Sequence, residues 1–389
     1  MSLRHRERLV QKLLAVADVQ VNGARPWDIR IHNPDFYARV LRQGSLGLGE
    51  SYMDGWWDCP DLDQFFFKIF TAGVDGSVAR TWQALALFLE SVLFNPQTKS
   101  RSPRVAERHY DLGNELFENM LDPRMVYSCA CWNHAANLAE AQEAKLDFVC
   151  RMLDLAPGMK VLDIGCGWGS FAKFVAEKYG AQVVGITLSP QQLALGRELC
   201  AGLPVELYLK DYRSLKGTFD RVVSLGMFEH VGRKNYEAFF DVARHCLKDD
   251  GRLFLSTIGK NHSSVNTDPW IERYIFPNSH PPSISQIGKG IEGRFVVDEW
   301  QNWAADYDRT CMAWSHNFES AWAKIKADYG ERFHRMWRFY LLVSAASFRS
   351  CRLQDWQILL SPVGPAGNVV NPVHLHGDGR EDQRVSVCA

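Results

Sequence analysis

The sequence predicts an α/β protein, with a mostly parallel sheet flanked by helices on both faces and a smaller, mainly α-helical N-terminal part. Three observations carry that expectation. From about residue 145, short apolar runs alternate with amphipathic helical segments. A glycine-rich turn, Gly165-Cys166-Gly167-Trp168-Gly169, follows the first of those runs and opens a helix. Residues 1–98 contain helical segments and a turn-rich middle, without that alternation.

Taken in order, the N-terminal part passes through the glycine-rich stretch Gln43 to Glu50, then Ser51 to Trp57 and the apolar patch Phe65 to Phe70. Aromatic residues at this density fill a small core or face lipid or a partner; a core is the ordinary outcome. The polar stretch Asn95 to Pro103, with a proline at each end, reads as a boundary. A chain of 389 residues exceeds one compact core, so two domains are expected: 1–98 and 109–363, with a linker over 99–108. A helix over 139–155 and the turn Pro157-Gly158 lead to a first strand, Lys160 to Ile164. Helices over 170–179 and 190–200 alternate with strands Gln182 to Ile186 and Val205 to Leu209. The apolar run Phe219 to Leu225, a helix over 234–247 and a strand Arg252 to Ile258 continue the pattern. The segment from about 259 to 318, rich in aromatics, Pro and Asn, is expected to cover the open end of the sheet as a lid. A helix over 319–350 and a mobile polar tail over 364–389 complete the layout.

Composition narrows the function. Hydrophobic residues at 46% and charged residues at 23% give the balance of a soluble globular protein. A net charge of -1 provides no overall field to gather nucleic acid, which is not expected as a partner. Lys99, Arg101, Arg104 and Arg108 form a local basic run opposed only by Glu107. Such a run is a solvated linker or a contact with acidic lipid headgroups, the latter worth roughly 1 kcal/mol per basic residue. No stretch approaches the ~18–20 apolar residues of a membrane-crossing helix. The opening residues Met1 to Arg6 lead into a charged segment without a signal-like apolar core. The ten cysteines show neither a CxxC pair nor zinc spacing, so no metal is expected and they read as reduced thiols of a cytoplasmic protein.

The glycine turn marks a ligand site. Asp163-Ile164-Gly165-Cys166-Gly167-Trp168-Gly169 stands at the carboxyl end of the first strand, where ligands of such sheets bind. Glycines at alternate positions let the backbone turn tightly and approach a ligand closely. A nicotinamide cofactor competes for this reading, but the spacing is GxGxG rather than GxGxxG. The second strand ends in Thr187, without a carboxylate for a ribose diol, and Asp211 after the third is placed to accept from an adenine amine. Together these favour S-adenosylmethionine, which has no pyrophosphate to cradle.

Further motifs make a resemblance specific. They include Asn33-Pro34-Asp35-Phe36, Gly44 to Trp57, His109-Tyr110-Asp111-Leu112-Gly113-Asn114 and Tyr127-Ser128-Cys129-Ala130. Beyond those come Val161 to Gly169, Gly226-Met227-Phe228-Glu229-His230-Val231-Gly232 and Tyr274-Ile275-Phe276-Pro277-Asn278. With them the chain resembles the bacterial cyclopropane-fatty-acyl-phospholipid synthases from about Val21 to about Ser361. The resemblance implies a Rossmann-like S-adenosylmethionine-dependent methyltransferase domain behind an α-helical N-terminal domain, and a homodimer. It implies a phospholipid membrane surface as partner, with the enzyme visiting the inner face from the cytoplasm. Cofactor contacts carried over are Tyr110, Tyr127, Ser128, Asp163, Gly165, Cys166, Gly167, Trp168, Gly169, Thr187, Leu188, Gln192, Asp211 and Tyr212.

The implied chemistry sets the demands. An alkene is a weak nucleophile, so it needs an electrophile as strong as a sulfonium methyl. Methyl transfer leaves a carbocation on the acyl chain, which a dry, aromatic-lined site protects and stabilises. Closing the ring requires removal of a proton from the delivered methyl group by a nearby base. Family members use a bound bicarbonate ion, and the resemblance places its pocket at Cys129, Glu229, Ile258 and Tyr307, with Ser256 beside them. Taken singly these residues have ordinary explanations: a packed tyrosine, a buried thiol, a surface carboxylate. The role of His230 stays open, because its ring is free to point away from the pocket.

Two departures stand out. Family members usually carry His-Thr-Ile-Gly where this chain has Ser256-Thr257-Ile258-Gly259. Losing a charged hydrogen bond there costs an anion about 1.5–3 kcal/mol of affinity, which a bridging water offsets in part. Ser344 stands where the family often has a cysteine, a change of less weight because the chemistry needs no thiol. These departures leave two alternatives, a lipid or alkene C-methyltransferase that does not close the ring and a weakly active lipid-binding homologue. An amine methyltransferase fits less well with the complete N-terminal part.

Overall fold

A computed structural model of the chain describes residues 2–74, 113–264 and 267–363. The expected linker, its basic run, Tyr110 and the C-terminal tail lie outside the described residues. The alternating pattern folds as read. Strands β3 (Lys160–Ile164), β4 (Gln182–Thr187), β5 (Val205–Leu209), β6 (Phe219–Leu225) and β7 (Leu247–Gly259) lie parallel in one sheet. The helices between them are α7 (Ser170–Tyr179), α8 (Pro190–Leu199) and α9 (Tyr236–Cys246), preceded by α6 (Leu138–Met152). Two strands escaped the sequence reading: β8 (Phe295–Asn302) and β9 (Gln354–Pro362). They extend the sheet to seven strands in the order β5-β4-β3-β6-β7-β9-β8, with β9 antiparallel to both neighbours. The strand order reverses direction beside β3, and the crevice at such a switch point is the natural ligand site.

The covering segment differs from the expectation. Residues 259–318 include two short helices, α10 (Pro269–Tyr274) and α11 (Ile284–Ile291), but also β8 and the start of a long helical element. That element, α12 (Ala304–Arg349), begins well before the expected 319. The aromatics Tyr307, Trp314 and Phe318, read as irregular cover, lie instead along its first arm, with Trp314 and Phe318 almost wholly inaccessible. Gly330 has φ 73° and ψ 166° and breaks the helix. The two arms then fold back on each other. Trp322 stacks on His334 with centroids 4.4 Å apart, and Tyr307 stacks on Phe348 at 4.2 Å. Arg349 closes the open end of this hairpin with hydrogen bonds of 2.8 and 2.9 Å to Asp308.

The hairpin is also the floor for the N-terminal helices α1 (Leu3–Val16), α2 (Phe36–Gln43), α3 (Ser45–Met53) and α4 (Leu62–Thr71). Between them, β1 (Arg30–Ile31) and β2 (Trp57–Asp58) form a small antiparallel pair. The aromatics of this region are core residues: Trp57, Phe65 and Phe66 are buried, and Phe66 and Tyr52 both pack on Phe339 of α12. Arg335 donates at 2.8 Å to the Trp57 carbonyl and at 2.7 Å to Asp58, and Arg349 donates at 2.7 Å to Asp63. One hydrophobic cluster therefore runs from α1 through α5 (Asn114–Met120) into α12. The described N-terminal residues share their core with the C-terminal hairpin, so the smaller part is not packed around a core of its own.

One contact shows how tightly this layer is fitted. Trp270 of α10 is buried against α3 and donates its indole N–H to the Met53 sulfur at 3.3 Å. A Cβ on Gly49 would fall inside van der Waals contact with that indole. Ordinarily a helical Gly→Ala change stabilises by about 1 kcal/mol, but overpacking costs about 1–3 kcal/mol. The clash should win, so G49A is expected to melt a few degrees below the parent in a thermal scan, whereas a rise would show that Trp270 has room to move.

Candidate active site

The site starts at the carboxyl ends of the parallel strands. Gly165, at φ 92°, turns the chain out of β3, and its N–H donates to the Ile186 carbonyl at 3.0 Å. A Cβ there would lie 2.6 Å from Met227, so glycine is required on both counts. Gly167, at φ 55°, faces open space, which leaves backbone accessible to a ligand. Gly169 departs from its expected role. It lies outside the cavity lining and caps α7, where a Cβ would press on Cys200 and Leu207. Glycine is favoured there both by that packing and by a φ of 79°.

Around this turn lies a cavity whose walls include Tyr127, Ser128, Asp163, Gly165, Cys166, Gly167, Trp168, Thr187, Leu188, Gln192, Asp211 and Tyr212. The structure thus gathers twelve of the fourteen expected cofactor residues, leaving out Gly169 and the undescribed Tyr110. Most are held by identifiable bonds. Thr187 donates to Gln192 at 2.9 Å and accepts from the Ser189 N–H, fixing the turn after β4. Trp168 is buried with its indole N–H on Asn114 at 3.1 Å. The Tyr127 hydroxyl meets that of Tyr340 at 2.8 Å. Asp211 corrects the sequence reading in part, because its carboxylate already accepts from Arg213 at 2.6 and 2.8 Å. Contact with an adenine amine would have to share those oxygens.

Two buried polar atoms of the wall, Asp163 Oδ2 and Tyr212 Oη, have no partner among the described residues. A polar ligand would satisfy them. Burial pushes the Asp163 carboxyl up to about 7 against the pull of Lys145. Lys145 is a residue that sequence reasoning missed. It sits on α6 one turn after Gln142, both buried, and its ammonium donates to the Ser128 hydroxyl at 3.0 Å. Burial lowers its pKa to about 8. The signal was present: two polar side chains three apart on the apolar stripe of a helix. His230 also faces the cavity, edge-on to Phe276, with its pKa lowered to about 4 by burial. Its ring does not point away.

Behind the cavity stands a second, smaller cluster. Cys129, Glu229 and Ser256 are buried. Glu229 lies in the turn after β6 and accepts from the Ile258 N–H at 2.5 Å. That bond corrects one expectation, since the Ile258 amide serves Glu229 before any anion. The other oxygen, Glu229 Oε2, is buried without a hydrogen bond among the described residues, with the Thr257 side chain close by. The Cys129 thiol points to the carbonyls of Ala130 and Trp303 at 3.4 and 3.7 Å. Tyr307, on the first arm of α12, feels Asp355, Cys129 and Glu229, and burial drives its hydroxyl well above the ordinary range. Strand β9 brings Asp355 and Gln357, both buried, into the same cluster. Ser256 accepts at 3.1 Å from the Gln357 amide. Aromatic rings enclose the region: Tyr127 lies 5.0 Å from Trp314 and 5.2 Å from Phe117, and Trp314 lies 5.9 Å from Tyr307.

This arrangement can hold an adenosyl ligand in the first cavity and manage a proton, away from water, in the second cluster. The chain matches the mycolic acid cyclopropane synthetase family over residues 97–358. It belongs to that family. It is 50% identical over 354 residues to the cyclopropane-fatty-acyl-phospholipid synthase of Escherichia coli K12, covering 91% of this chain and 93% of that one. The tuberculostearic acid methyltransferase of Mycobacterium tuberculosis is 34% identical, covering 90% of this chain and 88% of its own. Among solved structures, a mycolic acid cyclopropane synthase complexed with SAH and CTAB is 32% identical with a TM-score of 0.63, covering 66% of this chain and 97% of that one. Cyclopropane synthetases of this family are S-adenosylmethionine-dependent enzymes, and the chain has the mostly parallel α/β fold of such methyltransferases.

The buried Glu229 gives a test of the geometry through pH. Its carboxyl rises from an ordinary 4.5 to about 7, chiefly by desolvation. Between those values the folded chain holds a proton that the unfolded chain has lost, so the stability from this group is complete below 4.5 and lost as pH rises through about 7. E229Q removes that penalty. Denaturant titrations should show E229Q more stable than the parent by up to about 3 kcal/mol near pH ~8 and equal to it below about pH 5. A difference that does not change with pH would mean that Glu229 is solvated.

Proposed function

We propose that the chain converts the cis double bond of an unsaturated phospholipid acyl chain into a cyclopropane ring, with S-adenosylmethionine as one-carbon donor. One observation carries this reading. The glycine-loop cavity abuts, through Ser128, Gly226 and His230, a cluster of buried Cys129, Glu229 and Ser256 with half-buried Ile258 and Tyr307. The match in sequence and length to a cyclopropane-fatty-acyl-phospholipid synthase supports it. The alternative of methylation without ring closure has more distant relatives behind it, at 34% identity, and is not favoured.

S-adenosylmethionine, when bound, supplies an electrophilic methyl group on a positively charged sulfur. The chain holds its position with the Gly165–Gly167 backbone and offers Asp163 Oδ2 and Tyr212 Oη as free polar partners. Tyr127, Trp314, Phe117 and Tyr307 exclude water, and their π faces stabilise a cation on the acyl chain. The base is proposed to be bicarbonate, which supplies a proton acceptor without a charged side chain. The orphaned Glu229 Oε2 fits such an ion, because bicarbonate carries one O–H to donate to it. Tyr307 would donate to the ion, and Cys129 would line the wall. As partners the reading takes a phospholipid surface and a second copy of the chain, both carried by family resemblance. No described helix is long and apolar enough to cross a membrane, which fits an enzyme that visits the surface.

The full chain, incubated with vesicles of cis-unsaturated phospholipid and S-adenosylmethionine, should produce lipid heavier by one CH2 without an alkene signal in NMR. A retained or migrated alkene would establish methylation alone. E229Q should lower turnover by about 100-fold or more, the scale of a lost proton-handling group, with cofactor affinity nearly unchanged in calorimetry. Equal losses in both would place Glu229 in the cofactor site.

A further inference from the structure

The strand that sequence reading did not anticipate brings a carboxyl to the weakest point of the anion pocket. In the β7–β9 ladder, Ser256 lies opposite Gln357 and Ile258 lies opposite Asp355. Residues two apart on a strand share a face, so these four side chains form one patch. Glu229 reaches that patch through the Ile258 N–H, and Cys129 lies beside Asp355. Asp355 is 2% exposed and accepts from the Gln357 amide. Burial first, and the neighbouring Glu229 second, push its carboxyl well above the ordinary range, against weaker pulls from Gln357, Cys129 and Lys145, a shift toward the protonated acid.

The Gln357 amide sets the direction of that proton. Its Nε2 donates to Ser256 Oγ at 3.1 Å and to Asp355 Oδ2 at 2.5 Å. An accepting Oδ2 leaves Oδ1 as the hydroxyl oxygen. Gln357 Oε1 and Glu229 Oε2 are both buried without partners among the described residues, which suits the patch to a polar group. A neutral carboxylic acid in an apolar site is a strong donor to an oxyanion. The Ser256 hydroxyl accepts from Gln357 and keeps one hydrogen to donate, but that donor is neutral and its side chain is shorter than the histidine that relatives carry there. We propose that Asp355, steadied by Gln357, is a further residue of the anion pocket and donates a hydrogen bond to the bound oxyanion in place of that histidine. This inference rests on the reading that the pocket takes bicarbonate.

The experiment uses the full chain and bicarbonate itself. Infrared difference spectra, with and without isotope-labelled bicarbonate, should show the C=O band of a protonated carboxyl moving to lower frequency. Loss of that band in D355N assigns it to Asp355. In parallel, D355L should raise the bicarbonate concentration for half-maximal turnover by about tenfold or more, the factor of one hydrogen bond to an ion. The affinity for S-adenosylhomocysteine should stay unchanged in calorimetry. Adding Ser256→His to D355L should bring the bicarbonate requirement most of the way back. An unmoved Asp355 band, or a bicarbonate requirement equal in D355L and the parent, overturns the inference, and if D355L fails to fold the infrared result on the parent decides alone. Failure of the parent to form ring product at any bicarbonate level would overturn the underlying functional reading instead.

Discussion

Desolvation of ionisable groups is the constraint on which this site depends. Asp163, Glu229, Asp355 and Lys145 lie within one continuous region, each nearly inaccessible. Isolated buried charges cost far more than a fold can supply. The carboxyls respond by rising in pKa and the lysine by falling, all in the direction of neutrality. With the carboxyls and the lysine all shifted toward neutrality, the site carries less charge, draws in less water and is still able to exchange a proton. A carbocation on the acyl chain requires such surroundings.

The rest of the molecule keeps that region closed. The hairpin of α12 supplies Tyr307 and Trp314 from its first arm and Tyr340 and Phe348 from its second. Arg349 ties the two arms together through Asp308, and the N-terminal residues hold the second arm through Arg335, Arg338 and Arg349. These arginines serve mainly as geometric clamps, donating to backbone carbonyls and carboxylates at the rim of an aromatic core. Phe276 and Pro277 from the covering segment line part of the cofactor cavity.

Much of this was legible in the sequence. Strands β3 to β6 and the helices between them announced themselves by apolar periodicity, and the glycine turn by spacing that only a ligand or close packing would require. Family motifs located Cys129, Glu229 and Tyr307, which spacing alone could not bring together from three distant segments. What stayed hidden had physical causes. Strand β9 opens with Gln354, Asp355, Trp356 and Gln357 before turning apolar, so its start lacks the apolar run that marks a buried strand. The first arm of α12 was masked by its aromatics, which buried helices and irregular covers share. Asp211 was visible as a candidate adenine acceptor, but its bond to Arg213 is a matter of local geometry. Gly169 looked like its neighbours in the loop, and only the positions of Cys200 and Leu207 show that it is a packing glycine.

The claim at the centre is that a cation formed on the acyl chain survives, shielded from water, until a proton leaves the methyl group just delivered. The most direct measurement supplies S-adenosylmethionine with a fully deuterated methyl group, together with vesicles of cis-unsaturated phospholipid, and follows the label by mass spectrometry. The account predicts a ring-bearing lipid that has kept all but one of the methyl deuteriums. A product that keeps every deuterium, or one that has gained a hydroxyl from solvent, would contradict it.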